Sequence, residues 1–146
     1  MAMSISDRLR AGIVTASAGE TRTLAAELGE VLPADTTIAL HGDLGVGKTT
    51  FVQGLAAGLG VGGHVTSPTF ALYSVYPGRR GRLVHVDAFR LERAEQMESL
   101  LLEEFMNTPY FMAVEWPEKT GGWLPSGALH VTLSIEAGDR HRLSLA

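Results

Sequence analysis

The 146 residues suit one domain, since domains typically take ~100–200 residues, and the absence of cysteine excludes disulfides, thiolate metal sites and a cysteine nucleophile. With 45% apolar and 19% charged residues the chain reads as globular, and a net charge of −4 argues against a chain basic overall for nucleic-acid binding. No apolar run nears the ~18–20 residues of a membrane span, and residues 1–12 lack the apolar stretch of a signal peptide, so the expectation is one cytoplasmic domain over residues 1–146 with no membrane partner.

In chain order, Gly12 to Thr15 suits a short strand. Ser17 stands three residues before Glu20, the spacing of a capping box, so a helix is expected there. Leu24, Leu28 and Val31 follow at helical intervals, and Pro33 ends the run. Thr36 to Leu40 is short, β-branched and apolar, as in a buried strand. After a glycine-rich turn, a helix is expected from Lys48 to Leu59, with Phe51, Val52, Leu55, Ala56 and Leu59 inward and Gly60 as its stop.

Gly62 to Thr69 reads as loop. Phe70 to Tyr76 and Arg82 to Asp87 read as strands around the turn residues 77–81, which predicts a β-hairpin. A second amphipathic helix is expected over Glu92 to Phe105, with Met97, Leu100, Leu101 and Phe105 inward. Phe111 to Glu115 reads as strand and Trp116 to Gly127 as loop. Strands near His130–Glu136 and His141–Leu145 close the chain. The alternation predicts an α/β fold: a mixed, mostly parallel central sheet flanked by helices, with antiparallel hairpins.

The segment Gly42-Asp43-Leu44-Gly45-Val46-Gly47-Lys48-Thr49, followed by Thr50, matches G-x-x-x-x-G-K-[ST]. Four fixed positions recur by chance in a chain this long at roughly half a percent, and the strand before and helix after make chance rarer still. Glycines let several N–H groups converge on one anion. The helix starting at Lys48 adds the positive end of its dipole. Lys48 suits β- and γ-phosphates and the Thr49 hydroxyl suits Mg²⁺. The chain has ten arginines and only two lysines, Lys48 and Lys119.

An ATPase of this type needs a carboxylate near Mg²⁺ and a group to orient water. Asp87 and Glu115 each end an apolar strand, where ligands of open α/β sheets bind. An acid there is costly unless it meets a cation or hydrogen bonds; the plain alternatives are a helix cap for Asp87 and a surface ion pair for Glu115. Ser67-Pro68-Thr69 is a hydroxyl-bearing loop that can sense a γ-phosphate, or an ordinary turn. Arg79, Arg80 and Arg82 read as a solvated basic turn, with RNA or an acidic partner as the sharper alternative. His85 reads as a core or edge histidine, Met97 as core, and Trp116 as an aromatic anchor beside Glu115.

Five segments fall in order: HGDLGVGKTTFVQGL (41–55), SPTF (67–70), HVDAFRL (85–91), EWPE (115–118) and LP (124–125). Together they resemble the TsaE (YjeE) family, bacterial ATPases of tRNA threonylcarbamoyladenosine biosynthesis, from about Ser17 to the C-terminus. The resemblance implies a P-loop NTPase-like fold, with ATP and Mg²⁺ as cofactors. Gly42 to Thr50 would hold the phosphates, with Thr49 and Glu115 as Mg²⁺ ligands. Asp87 and Lys48 would be the catalytic residues, Ser67 to Thr69 the switch-like segment, and Trp116 a support of the site beside Glu115. Ser17 and Arg140 lie where family members contact the nucleotide. The family usually has D-L-Y-R where this chain has Asp87-Ala88-Phe89-Arg90, so a tyrosine hydroxyl is replaced by the bare ring of Phe89.

The implied partners are TsaB-like and TsaD-like proteins, which transfer a threonylcarbamoyl group made as an adenylate by a TsaC-like enzyme. The resemblance implies that this chain would act as the ATPase that resets or remodels that complex, meeting tRNA indirectly through it. The runner-up is a small-molecule P-loop kinase, but the stretch of about 27 residues between the loop's helix and Asp87 offers no arginine-bearing lid. A GTP switch would need N-K-x-D, and the only asparagine is Asn107, in Asn-Thr-Pro. A nonhydrolysing nucleotide-binding module also fits the motifs.

Overall fold

A computed structural model describes residues 3–43, 45–68 and 72–146. The expectations for Leu44, Thr69 and Phe70 therefore lie outside the described residues.

A short helix, α1 (Ile5–Ala11), comes first. Ser4 caps it by accepting the Asp7 N–H, and Ile5 and Leu9 face inward. This helix was not expected from the sequence, although Ser4 and Asp7 stand at cap spacing. Strand β1 (Ile13–Thr15) leads to α2 (Ala18–Val31). Ser17 caps α2 by accepting the Glu20 N–H, while the Glu20 carboxylate reaches back to the Ala16 N–H. The box therefore closes one residue earlier than the standard pattern. Next come β2 (Thr36–His41), α3 (Lys48–Gly58), β3 (Tyr73–Tyr76), β4 (Arg82–Asp87), β5 (Tyr110–Glu115), β6 (Leu129–Ile135) and β7 (His141–Leu145).

The strands form one sheet in the order β1-β7-β6-β2-β5-β4-β3. Its four central strands, β6, β2, β5 and β4, run parallel. The β4–β3, β6–β7 and β7–β1 pairs are antiparallel. This matches the expected mixed sheet with a parallel centre. Parallel strands read as continuous apolar runs because both faces are covered. Alternate residues divide between two cores: Leu83, Phe111 and Ala113 join α1, α2 and α3, whereas Val84, Val86, Met112 and Val114 join Met97 and Leu102.

Helices α2 and α3 approach closely through glycines. A Cβ on Gly58 would meet the Ala26 carbonyl oxygen at 2.2 Å, and one on Gly54 the Arg22 carbonyl at 2.3 Å. The approach brings α3, and with it the loop at its head, tight against the body of the fold.

The expected helix over 92–105 is not continuous. It is a single turn, α4 (Gln96–Ser99), then a 3₁₀ turn over Leu102–Phe105, separated by Leu101 at φ 53°. Leu101 is 57% exposed and Leu102 fully buried, reversing the inward assignment of Leu101. Three consecutive leucines satisfy two helical registers equally, so spacing alone does not choose between them. The basic turn also differs from expectation. The Arg80 guanidinium donates to the carbonyls of Gly29 (2.6 Å) and Leu32 (2.7 Å) at the end of α2 and lies over the Phe111 ring. Arg82 donates to the Phe105 carbonyl. Two of the three arginines are thus structural ties, and Arg79 alone is largely exposed. No helix among the described residues is long and apolar enough to cross a membrane.

Candidate functional site

The loop between β2 and α3 sits at the carboxyl ends of the parallel strands, the edge where open α/β sheets bind ligands. Two of its glycines are required by geometry. Gly42 has φ 146°, and a Cβ there would strike the Leu133 carbonyl at 2.6 Å, so the loop starts flush against β6. Gly47, at φ 95° and ψ 25°, is the left-handed residue that opens α3. Among the described residues no side chain caps that helix, so the first N–H groups of α3 remain available to an anion. Asp43 accepts the Val46 N–H through its carbonyl, and Val46 anchors the loop in the core.

A cleft of about 370 Å³ opens at the head of α3, lined by Gly45, Gly47, Lys48, Thr49, Thr50, Ser67, Asp87, Phe89, Glu115 and Trp116. Lys48 is 5% exposed. Its ammonium donates to the Gly42 carbonyl and stands 3.6 Å from the centre of the Trp116 ring, within cation–π range. Burial lowers its pKa, against the pull of Glu115, Glu118, Asp87 and Asp43. Among the described residues the ammonium hydrogen-bonds a carbonyl and faces a ring, and an anion in the cleft would give it a direct ionic partner.

Register brings the two strand-end acids together. Asp87 and Glu115 are partners on the adjacent parallel strands β4 and β5. Glu115 is 4% exposed, and its Oε2 accepts from His85 Nε2 at 2.6 Å and from the Thr49 hydroxyl at 3.4 Å. The surface ion pair considered for Glu115 is thereby excluded. Asp87 is both a cap and a cleft residue: Oδ1 accepts the Phe89 N–H at 3.0 Å and the side chain lines the cleft. Burial raises the Asp87 pKa, the neighbouring Glu115 adds to this, and the Phe89 N–H opposes it.

Ser67 belongs to the cleft, with its Oγ 2.7 Å from Thr49 Oγ1. Pro68 follows it on the loop. The Phe89 and Trp116 rings pack at a tilt of 47° with centres 5.1 Å apart, so the ring of this position packs without the tyrosine hydroxyl. Lys119 donates to the Phe89 carbonyl and tethers the segment after β5 to the turn after β4. Trp116 itself stands at φ 59°, a left-handed backbone that turns its ring over Lys48.

Ser17 and Arg140 do not line this cleft. Ser17 is the cap of α2 and borders a separate groove with Val14, Thr15 and Thr23. Arg140 lies in the β6–β7 turn, where its carbonyl accepts the Glu136 N–H. Thr15 pairs with His141, so both residues sit at the same end of the sheet as the loop, displaced toward the β1 edge. His85 is core, as expected, and its ring also reaches the Glu115 carboxylate. Side chains two apart on a strand share a face, so His85 was bound to lie on the Asp87 side of β4.

A family model, "TsaE: Threonylcarbamoyl adenosine biosynthesis protein TsaE", matches residues 15–143. The TsaE of Treponema pallidum is 34% identical over 91% of this chain and 98% of its own length. That of Nostoc is 41% identical over 84% of this chain and 76% of its own, and that of Streptomyces coelicolor 40% over 81% of each. The crystal structure of Bacillus subtilis YdiB superposes with a TM-score of 0.74 at 27% identity, covering 92% of this chain and 82% of that one. A match that takes in the glycine-rich loop, both strand-end carboxylates and the closing strands assigns this chain to the TsaE family, whose members serve tRNA threonylcarbamoyladenosine biosynthesis.

Proposed function

We propose that this protein is a Mg²⁺-dependent ATPase with a P-loop NTPase fold, acting as an accessory to tRNA threonylcarbamoyladenosine modification on a TsaB–TsaD-like transferase complex in the cytoplasm. The observation that carries this reading is the convergence of the Thr49 hydroxyl and the Glu115 carboxylate, 3.4 Å apart, beside Asp87 at the head of α3. Hydroxyl and carboxylate are hard oxygen donors, and Mg²⁺ takes one or two such protein ligands beside phosphate and water. The donor set therefore fits Mg²⁺, with Thr49 and Glu115 as its ligands. When bound, the metal neutralises charge on the β- and γ-phosphate oxygens.

The chain's own residues do the rest. Gly42 to Thr50 wrap the phosphates with backbone N–H groups, and Lys48 exchanges the Gly42 carbonyl for a phosphate oxygen. Asp87, one strand from Glu115, orients the attacking water. Ser67, Pro68 and Thr69 form the segment that senses the γ-phosphate. The Ser67–Thr49 bond supplies a route for that signal, because a Thr49 hydroxyl turned to a metal must share or release it. The base lies toward the β1 edge, where Ser17 and Arg140 stand at the same end of the sheet. The net charge of −4 suits contact with tRNA through a complex rather than by a field of the chain's own. A kinase lid is not supported, because Arg80 and Arg82 are committed to backbone carbonyls.

The test is nucleotide affinity measured with Mg²⁺ and with EDTA. Glu115→Gln is expected to abolish most of the gain that Mg²⁺ gives while leaving the EDTA affinity close to wild type. Unchanged Mg²⁺ dependence in this variant would remove Glu115 from the metal site.

A further inference from the structure

His85 is fully buried on β4, and its ring has one hydrogen-bond partner among the described residues, the Glu115 carboxylate at 2.6 Å. Facing a carboxylate oxygen, Nε2 carries the proton and donates. Nδ1 is buried with no partner among the described residues. A buried polar atom left unpaired carries its full desolvation cost, so a leucine would serve packing alone at lower cost. The histidine is explained by what its other nitrogen does.

Register gives the contact its shape. His85 stands opposite Ala113 on β5, and Glu115 is the next residue of β5 on the same face. The small Ala113 side chain leaves the ring room to reach along the strand to the carboxylate. The oxygen that His85 holds is the one that also accepts from Thr49. His85 thus meets the Glu115 side chain from inside the core, and Thr49 meets it from the cleft.

We propose that His85 is a positioning residue, which fixes the Glu115 carboxylate in the orientation that serves Thr49 and a divalent cation carried by the nucleotide. The inference rests on the Mg²⁺–nucleotide reading given above. Partners that orient a metal-ligating side chain typically contribute about 10–100-fold to metal affinity or activity. Without His85, Glu115 would be a nearly buried carboxylate whose remaining hydrogen bond among the described residues is the long one from Thr49, free to take other rotamers.

The experiment titrates Mg²⁺ into the full chain with a fluorescent ATP analogue, for wild type, His85→Leu and His85→Gln, beside a parallel series in EDTA. In His85→Gln the side-chain amide reaches the place of the ring Nε2 and keeps a donor for Glu115. His85→Leu is expected to need about 10–100-fold more Mg²⁺ with unchanged affinity in EDTA, and His85→Gln to recover most of the wild-type requirement. A wild-type Mg²⁺ requirement in His85→Leu would overturn the proposal. So would equal losses in both variants that persist in EDTA, since these would mark a packing role. If His85→Leu does not fold, His85→Asn replaces it, because its amide is too short to reach Glu115, and equal Mg²⁺ requirements in His85→Asn and His85→Gln would overturn the proposal. Wild-type protein that binds nucleotide without any Mg²⁺ dependence would overturn both the proposal and the reading beneath it.

Discussion

The ammonium of Lys48 lies 3.6 Å from the centre of the Trp116 ring while donating to the Gly42 carbonyl. The side chain is folded back on its own loop and held by the residue that follows Glu115. A phosphate bound by Lys48 would draw the ammonium away from both contacts, a move that Trp116 would report. With Trp123→Phe leaving Trp116 as the sole tryptophan, ATP is expected to change its emission in a saturable way. Lys48→Ala removes a charge-assisted bond of about 1.5–3 kcal/mol, so triphosphate affinity should fall about 10–100-fold. Wild-type affinity in Lys48→Ala, by titration calorimetry, would contradict the phosphate role.

Asp87 is predicted to separate binding from turnover. Asp87→Asn keeps an oxygen to accept the Phe89 N–H, so the turn after β4 should survive. Nucleotide affinity is expected to remain near wild type, while hydrolysis falls about 10²–10⁴-fold, the usual loss of a general base or water-orienting group. Single-turnover kinetics with bound ATP measure this directly.

The same substitution has a pH signature. Burial raises the Asp87 pKa, so the folded state holds its proton to higher pH than the unfolded chain does. Folding is then unpenalised below the ordinary carboxylate pKa of about 4. Stability is lost as pH rises from there through the raised value, because the folded state must ionise a partly buried acid. Asp87→Asn escapes that penalty. Its thermal midpoint should exceed that of wild type at pH 7, and the gap should shrink as pH falls toward 4. A gap that widens on acidification would reverse the assignment.

Arg80 and Arg79 are neighbours with opposite expectations. Arg80→Ala strips two charge-assisted bonds from the carbonyls of Gly29 and Leu32 and uncovers Phe111. It should destabilise the fold by about 2–4 kcal/mol. Arg79→Ala, on the exposed side of the turn, should stay within about 0.5 kcal/mol. Urea denaturation of the two variants compares them.

Gly58 tests the α2–α3 contact. Alanine favours a helix over glycine by about 1 kcal/mol, so propensity predicts a gain. The Ala26 carbonyl 2.2 Å from the new Cβ predicts a loss of about 1–3 kcal/mol or more through overpacking. Packing should win, and a stabilised Gly58→Ala would show that the helices separate easily.

Much of this architecture was legible because local signals agreed with one another. Strands Arg82–Asp87 and His141–Leu145 fall where β-branched and apolar runs meet turn residues, and α3 starts at Lys48 as its loop requires. Asp87 and Glu115 stood out as candidate site residues because an acid ending a buried strand needs a reason to be there, and the fold brings both to one cleft. The break at Leu101 was not, because Leu100, Leu101 and Leu102 fit two helical faces and tertiary burial of Leu102 decides between them. Arg80 read as solvated because its carbonyl partners lie 48 and 51 residues away, at the end of another helix. His85 looked like ordinary core because its partner is on the neighbouring strand, a register that no spacing within β4 reveals.

ATP hydrolysis in the service of a transferase complex is the role proposed for this TsaE-family chain. Its most direct test is ATP hydrolysis by the protein alone and with TsaB-like and TsaD-like proteins of the same organism, with GTP in parallel. Strong stimulation by the pair, preference for ATP, and loss of the stimulated rate in Asp87→Asn are the expected results. Equal turnover with and without the pair would contradict the accessory role, and turnover unaffected by Asp87→Asn would contradict the site.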